Sequence, residues 1–354
     1  MSQPSPQHQI SHEQAATVHE RVLVFDGHND TPVKRIARGD RPMDWMREDP
    51  TCDMDVPRMQ RGGMDGGIFI VGNGAAANVW ATIEQVLTQI EQHGETLQLA
   101  RSAAEVEAAR ATARIAVVMG VEGAGRWLEG EADVLRLLHR LGVRVLGITH
   151  GEGGEDRKML QGEPSPTGPC NAAERRRARR EGRGLSEFGE EVLALSNELG
   201  ILTDLAHIND RAFYQVLERS SLPVMMSHTA ACALCPQWRC MTDDQIRALA
   251  DADGVIGIAF APWFLDDEHP SIDRVAEHVC YVAERVGIDH VAIGSDFDGL
   301  PADVAPVVTD VAHLPELTRC LLAHGLNEEE VAKVWGGNYL RLMRRVLHQR
   351  AAAT

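Results

Sequence analysis

Six stretches of this sequence end an apolar run in residues able to bind a metal ion or move a proton. They are Asp26-Gly27-His28-Asn29-Asp30, Gly120-Val121-Glu122-Gly123, Ile148-Thr149-His150, Asp204-Leu205-Ala206-His207, Ser227-His228 and Gly294-Ser295-Asp296. Imidazole nitrogen and carboxylate oxygen together suit borderline metals such as zinc. Asp30, Glu122 and Asp296 would repel one another at a shared site unless cations stood between them, and one of them could bridge two ions. Two Zn²⁺ ions would be balanced by these three carboxylates and one hydroxide. Each residue alone says little. A lone histidine at a strand end is more often structural, and Glu122 could simply cap a helix. The argument rests on the set.

The elements that would carry this set alternate along the chain. Apolar, β-branched runs predict strands at 22–26, 67–71, 115–121, 143–149, 201–205, 224–227, 255–259 and 290–294. Most are continuously apolar, the pattern of parallel strands covered on both faces. Amphipathic stretches at 79–109, 185–199, 211–218, 242–252, 272–286 and 328–347 predict helices, with Ser186 as an N-cap. Eight strands alternating with helices predict an α/β fold, a (β/α)₈ TIM barrel. A doubly wound sheet is the rival, weakened because no Gly-x-Gly-x-x-Gly follows the first strand. Six of the eight predicted strands end in His or a carboxylate at their carboxyl ends, the barrel face on which active sites are built. The chain is 354 residues, 38.8 kDa, which one barrel can absorb. The expected organisation is an N-terminal extension over 1–20, a single barrel over 21–349 with enlarged loops at 38–57 and 151–184, and a tail at 350–354.

Composition narrows the partners. A formal charge of -17 disfavours nucleic acid and anionic membranes. The first twenty residues hold no apolar run suited to a signal peptide, and no stretch is long and apolar enough to span a bilayer. Seven cysteines, an odd number, do not make a disulfide framework, so a reducing cytoplasm is the expected compartment. Cys232, Cys235 and Cys240 could form a zinc knot, but without a second Cys-x-x-Cys pair they read better as small core or loop residues. The run Glu174-Arg175-Arg176-Arg177-Ala178-Arg179-Arg180-Glu181 reads as a solvated helix or loop rather than a nucleic-acid patch.

Taken in order, the six motifs resemble those of the renal, or membrane, dipeptidase family, binuclear zinc peptidases of the amidohydrolase superfamily. Asp298 and Gly299 extend the last motif, and Val56 to Gly63, Gly184 to Gly189 and Gly336 to Arg341 match as well. The resemblance runs from about residue 22 to residue 347. It implies a TIM barrel of the metal-dependent hydrolase type and two Zn²⁺ per chain, with His28 and Asp30 on one, His207 and His228 on the other, and Glu122 bridging both. A hydroxide between the ions would be the nucleophile, with Asp296 orienting it and passing its proton to the leaving amine. His150 would polarise the scissile carbonyl and stabilise the oxyanion. Arg239, eleven residues after His228, would bind the substrate's terminal carboxylate, which restricts the enzyme to dipeptides. The resemblance further implies tolerance of a D-residue at the second position, β-lactam or dehydropeptide hydrolysis, and a homodimer.

The sequence also departs from the family. Where the family commonly carries Asn and Trp after the carbonyl-polarising histidine, this chain reads Gly151-Glu152-Gly153-Gly154-Glu155, and Trp is absent from 151–184. That loop should line the substrate pocket, so side-chain preference does not transfer. Cys240 stands where the family has Asn. Asp298 could contest the base role, although Asp296 follows the apolar strand directly and Asp298 suits the Asp-Gly turn. Two alternatives stay open: a binuclear amidohydrolase acting on another amide or a lactone, and a non-catalytic barrel used for binding.

Overall fold

The computed structural model describes residues 10–40, 42–73 and 78–347. The expected tail at 350–354, residues 1–9 of the expected extension and position 41 of the first enlarged loop lie outside the described residues. Nine strands occur among them: β1 Phe25–Asn29, β2 Gly66–Gly72, β3 Leu97–Leu99, β4 Ile115–Val121, β5 Val143–Gly147, β6 Leu202–Asp204, β7 Met225–Thr229, β8 Val255–Ile258 and β9 Val291–Ile293. All pair in parallel, in the order β1-β2-β4-β5-β6-β7-β8-β9. A parallel bridge between Asn29 and Phe297 joins the first strand to the segment after the last. The Asp30 amide donates to the Phe297 carbonyl at 2.8 Å beside it. The expected (β/α)₈ barrel is present.

The ninth strand is the departure. The pattern over 79–109 predicts one helix, but the chain forms helices Val79–Gln92 and Ala103–Ala111 with β3 between them. Breakers are present: His93-Gly94 follows the first helix, and Ser102 caps the second by accepting from the Glu105 amide. β3 pairs with Ile115 to Val117 of β4, while β5 pairs with β4 from Met119 onward. One edge of β4 thus serves two strands in succession.

Alternate residues along the strands divide between two cores. Phe69, Val71, Val117 and Met119 join the larger one, with residues of the surrounding helices. Phe25, Ile68, Ile70, Ala116 and Val118 join the other, with Tyr339. Tyr339 rises from the C-terminal helix Asn338–Val346, whose first residue donates to the Ile288 and Val291 carbonyls at the amino-terminal end of β9. Its phenol occupies space that side chains at Gly27 and Gly257 would claim: a Cβ at those positions would lie 1.9 and 2.7 Å from the hydroxyl. The glycines are what let a tyrosine fill the base of the barrel.

Within the expected extension, helix His12–Arg21 packs on helix Leu314–Ala323. Its His19 is buried, with Nδ1 against Thr318 Oγ1 at 2.7 Å and Nε2 against the Gly62 carbonyl at 2.8 Å. The second enlarged loop contains helix Ala172–Glu181, capped by Asn171. Its arginines are not uniformly solvated. Arg175 is only 5% exposed, because Asp210 and Gln245 reach it from elsewhere in the fold.

Candidate metal centre

The carboxyl ends of β1, β4, β6 and β7, with the turn after β9, bring Asp30, His28, Glu122, His207, His228 and Asp296 to one mouth. His28 Nε2 lies 3.3 Å from Asp30 Oδ2 and 4.0 Å from Asp296 Oδ1. On the other side, His207 Nε2 and His228 Nε2 lie 3.1 and 3.7 Å from Glu122 Oε1. His150, past the end of β5, approaches Glu122 Oε2 at 3.7 Å from a more exposed position on the rim. The geometry falls into three groups able to hold a cation: His28, Glu122 and His228; Glu122, His150 and His207; His28, Asp30 and Asp296. Glu122 and His28 each belong to two of them, and His207 and His228 fall in different groups. Two of these residues pay in backbone conformation, with His207 at φ 63° and Asp296 at φ 62°, a region that side-chain-bearing residues avoid.

The donor set fits divalent cations. Glu122 Oε1 is buried and receives no hydrogen bond. His207 Nε2 and His228 Nε2 face each other at 3.0 Å, so at most one can donate and at least one lone pair points into the site. Burial pushes Glu122 well above the usual carboxylate range, and the neighbouring Asp30, Asp204 and Asp296 add to it. Burial likewise raises Asp296 to about 7. Burial depresses His207 and His228, and the positive charge of Arg239 reinforces it. For His28 burial opposes the charged ring, but Asp30, Glu122 and Asp296 outweigh it and raise the group to about 10. Without a cation, burial favours protonated Glu122 and Asp296 and neutral His207 and His228, while His28 is held charged by the carboxylates around it. Divalent cations would take the place of those protons.

Beneath these residues lies a supporting layer whose roles the sequence did not disclose. Ser227 Oγ donates to Asp204 Oδ2 at 2.6 Å and lies 2.8 Å from His228 Nδ1, which directs His228 Nε2 into the mouth. Asp26 accepts from the Ser295 amide and hydroxyl, at 2.7 and 2.8 Å, tying β1 to the turn that carries Asp296. Asn73 Nδ2 donates to Asp30 Oδ1 at 2.8 Å from just beyond β2, a strand whose end bears neither His nor carboxylate. The adjacent hydroxyl in Ser227-His228 was an available signal; Asn73 offered none.

Asp298 is engaged elsewhere. Its carboxylate accepts from Thr31 Oγ1 at 2.6 Å and from Lys34 Nζ and the Asp53 amide, each at 2.8 Å. Arg239 sits on the loop after β7, its guanidinium 5.3 Å from the Phe264 ring centre, with a buried Nη2 that has no partner. All seven cysteines are free thiols, and Cys232, Cys235 and Cys240 form no candidate metal cluster among the described residues. No helix among those residues is long and apolar enough to cross a membrane.

The family model of the membrane dipeptidases, peptidase family M19, matches residues 12–354. The chain belongs to that family. It is 29% identical over 343 residues to dipeptidase tcpJ of Claviceps purpurea, covering 91% of this chain and 76% of that one. A solved M19 metallopeptidase, dipeptidase AC, shares 30% identity with a TM-score of 0.81, covering 92% of this chain and 99% of the other. A metallopeptidase of Rhodobacter sphaeroides, solved with a phosphinate mimic of the dipeptide L-Ala-D-Ala, shares 30% identity with a TM-score of 0.80 over the same shares. This M19 chain is accordingly a metal-dependent hydrolase of the dipeptidase type.

Proposed function

We propose that this M19 enzyme is a zinc-dependent dipeptidase that requires a free carboxyl terminus on its substrate. The observation that carries the reading is the buried, unpartnered Nη2 of Arg239 beside a cluster of metal-binding side chains. A guanidinium held in this way lacks a planar anion, and a terminal carboxylate is the complementary fork. The Rhodobacter sphaeroides relative bound to a dipeptide mimic supports the same substrate class.

His28 and Asp30 would hold one zinc ion, His207 and His228 the other, with Glu122 shared. When bound, the ions supply Lewis-acid polarisation of the carbonyl and an activated water at neutral pH. Asp296 Oδ1 stands 4.0 Å from His28 Nε2 at the same mouth, where its carboxylate would take a proton from the attacking water and return it to the leaving amine. His150 stands on the rim, where its ring can face the carbonyl oxygen as negative charge develops. Arg239 fixes the other end of the substrate, so the scissile bond lies one residue from the bound carboxylate.

The test compares L-Ala-D-Ala with its C-terminal amide on zinc-loaded protein. The wild type should prefer the free acid, and Arg239→Ala should lose about 10- to 100-fold in kcat/KM on the acid with little change on the amide. Unchanged hydrolysis of the acid by Arg239→Ala would sink the terminal-carboxylate reading and favour another amide or a lactone as substrate.

A further inference from the structure

We propose that Arg175 is a positioning residue for Arg239, holding the loop that presents the substrate-binding guanidinium. The proposal rests on the reading of Arg239 as the carboxylate receptor and concerns how that receptor is kept in place.

Arg175 belongs to an arginine-rich helix whose other arginines are exposed, yet its guanidinium is turned inward. Nη1 donates to the Trp238 carbonyl at 2.9 Å and to the Cys240 carbonyl at 3.1 Å, the residues on either side of Arg239. The Arg239 carbonyl is taken by Thr229 Oγ1 at 2.8 Å. Three consecutive carbonyls are therefore fixed by side chains, two of them by Arg175. The guanidinium also lies 5.0 Å from the Trp238 ring centre.

The opposite side of the same guanidinium is anchored near the metal cluster. Nε donates to Asp210 Oδ2 at 2.9 Å and Nη2 to Gln245 Oε1 at 2.7 Å. Gln245 Nε2 closes the triangle on Asp210 Oδ1 at 3.2 Å. Asp210 begins helix Asp210–Arg219, three residues after His207. Arg175 thus spans from the segment carrying a candidate metal ligand to the loop carrying the candidate carboxylate receptor. Both arginines line one small cavity, together with His207 and Trp238.

Two like charges so close to one another need a reason. Asp210 pairs with Arg175 at 2.9 Å, whereas Arg239 feels Glu122 and Asp296 only at longer range and keeps a buried Nη2 without a hydrogen bond. His207 and Arg239 line one cavity, and a planar five-donor group can brace the segments that carry them where Lys or Met cannot. A misplacement of about 1 Å at such a receptor weakens binding of the reacting geometry by large factors.

The experiment measures zinc content, kcat and KM for L-Ala-D-Ala and its amide in wild type, Arg175→Met, Arg175→Lys, Arg239→Ala and the Arg175→Met/Arg239→Ala pair. Arg175→Met should raise KM for the acid about tenfold or more, leave kcat within about twofold and keep full zinc. Its preference for acid over amide should fall toward that of Arg239→Ala, and the pair should lose no more than Arg239→Ala alone. Arg175→Lys keeps the charge for Asp210 but cannot reach both carbonyls, so it should show the same loss in weaker form. If Arg175→Met does not fold, Arg175→Lys decides: an unchanged acid preference overturns the proposal. A loss of zinc or a fall in kcat with KM unchanged would also overturn it, marking a general structural role. If Arg239→Ala itself keeps the acid preference, the underlying reading of Arg239 has failed instead.

Discussion

Buried and half-buried histidines occupy two kinds of place in this molecule, and they differ in what their second ring nitrogen meets. His19 and His278 have both nitrogens engaged by the protein. His278 Nδ1 accepts from the Ala231 amide at 3.0 Å while Nε2 stands 3.0 Å from the Leu265 carbonyl. His207 and His228 instead direct Nε2 at each other and at a carboxylate oxygen that receives no hydrogen bond. The carboxylates divide in the same way. Asp26 and Asp204 are saturated by hydroxyls and amides, whereas Glu122 is buried just as deeply with an oxygen left over. Burial therefore does not separate a structural polar group from a ligand. Between these histidines and carboxylates, the leftover valence marks the candidate ligands.

The sharpest way to break this contrast is Glu122→Gln. It should lower kcat/KM by about 10³-fold or more and reduce bound zinc, read by elemental analysis beside the kinetics. Full metal content and near-normal turnover would place Glu122 with the structural group. The second test concerns His278, whose pKa is depressed to about 4 by burial. Above pH 6.5 folded and unfolded chains both hold it neutral. As pH falls toward 4 the unfolded chain takes a proton that the folded one refuses, so about 3 kcal/mol of stability is lost across that window. His278→Gln should make the fall of melting temperature between pH 6.5 and 4.5 shallower; an equally steep fall would remove His278 from the satisfied class.

Smaller effects probe the layer between the two classes. Ser227→Ala frees His228 Nδ1 and should weaken zinc binding about tenfold in chelator competition, with the fold retained. Asn73→Ala removes the donor to Asp30 Oδ1 and should weaken zinc about threefold by the same assay. If Asn73→Ala proves the larger loss, orientation of the aspartate matters more than that of the imidazole.

Much of this is legible in the order of residues alone, because the candidate site residues at strand ends are marked by the apolar runs they terminate. The predicted strand at 115–121 coincides with β4, but β1 runs to Asn29, past the predicted end at 26, since the polar motif itself stays in the strand. β3 was hidden because three residues between two amphipathic helices keep an apolar rhythm. Arg175 was hidden for a different reason. Composition around it speaks of solvent, and its partners Asp210 and Gln245 lie 35 and 70 residues away.

Tyr339, standing between Gly27 and Gly257, sets a rule of traffic. The base of the barrel is packed shut, so nothing passes through it, and both halves of a cleaved dipeptide must depart by the opening through which the substrate entered. On the proposed reading the C-terminal residue of the substrate, held by its original carboxylate, stays tethered to Arg239 after the bond is broken, while the N-terminal residue leaves with the carboxylate newly formed from the scissile carbonyl. Departure of the tethered residue then governs when the next substrate can enter, and accumulated free amino acid competes for the same seat.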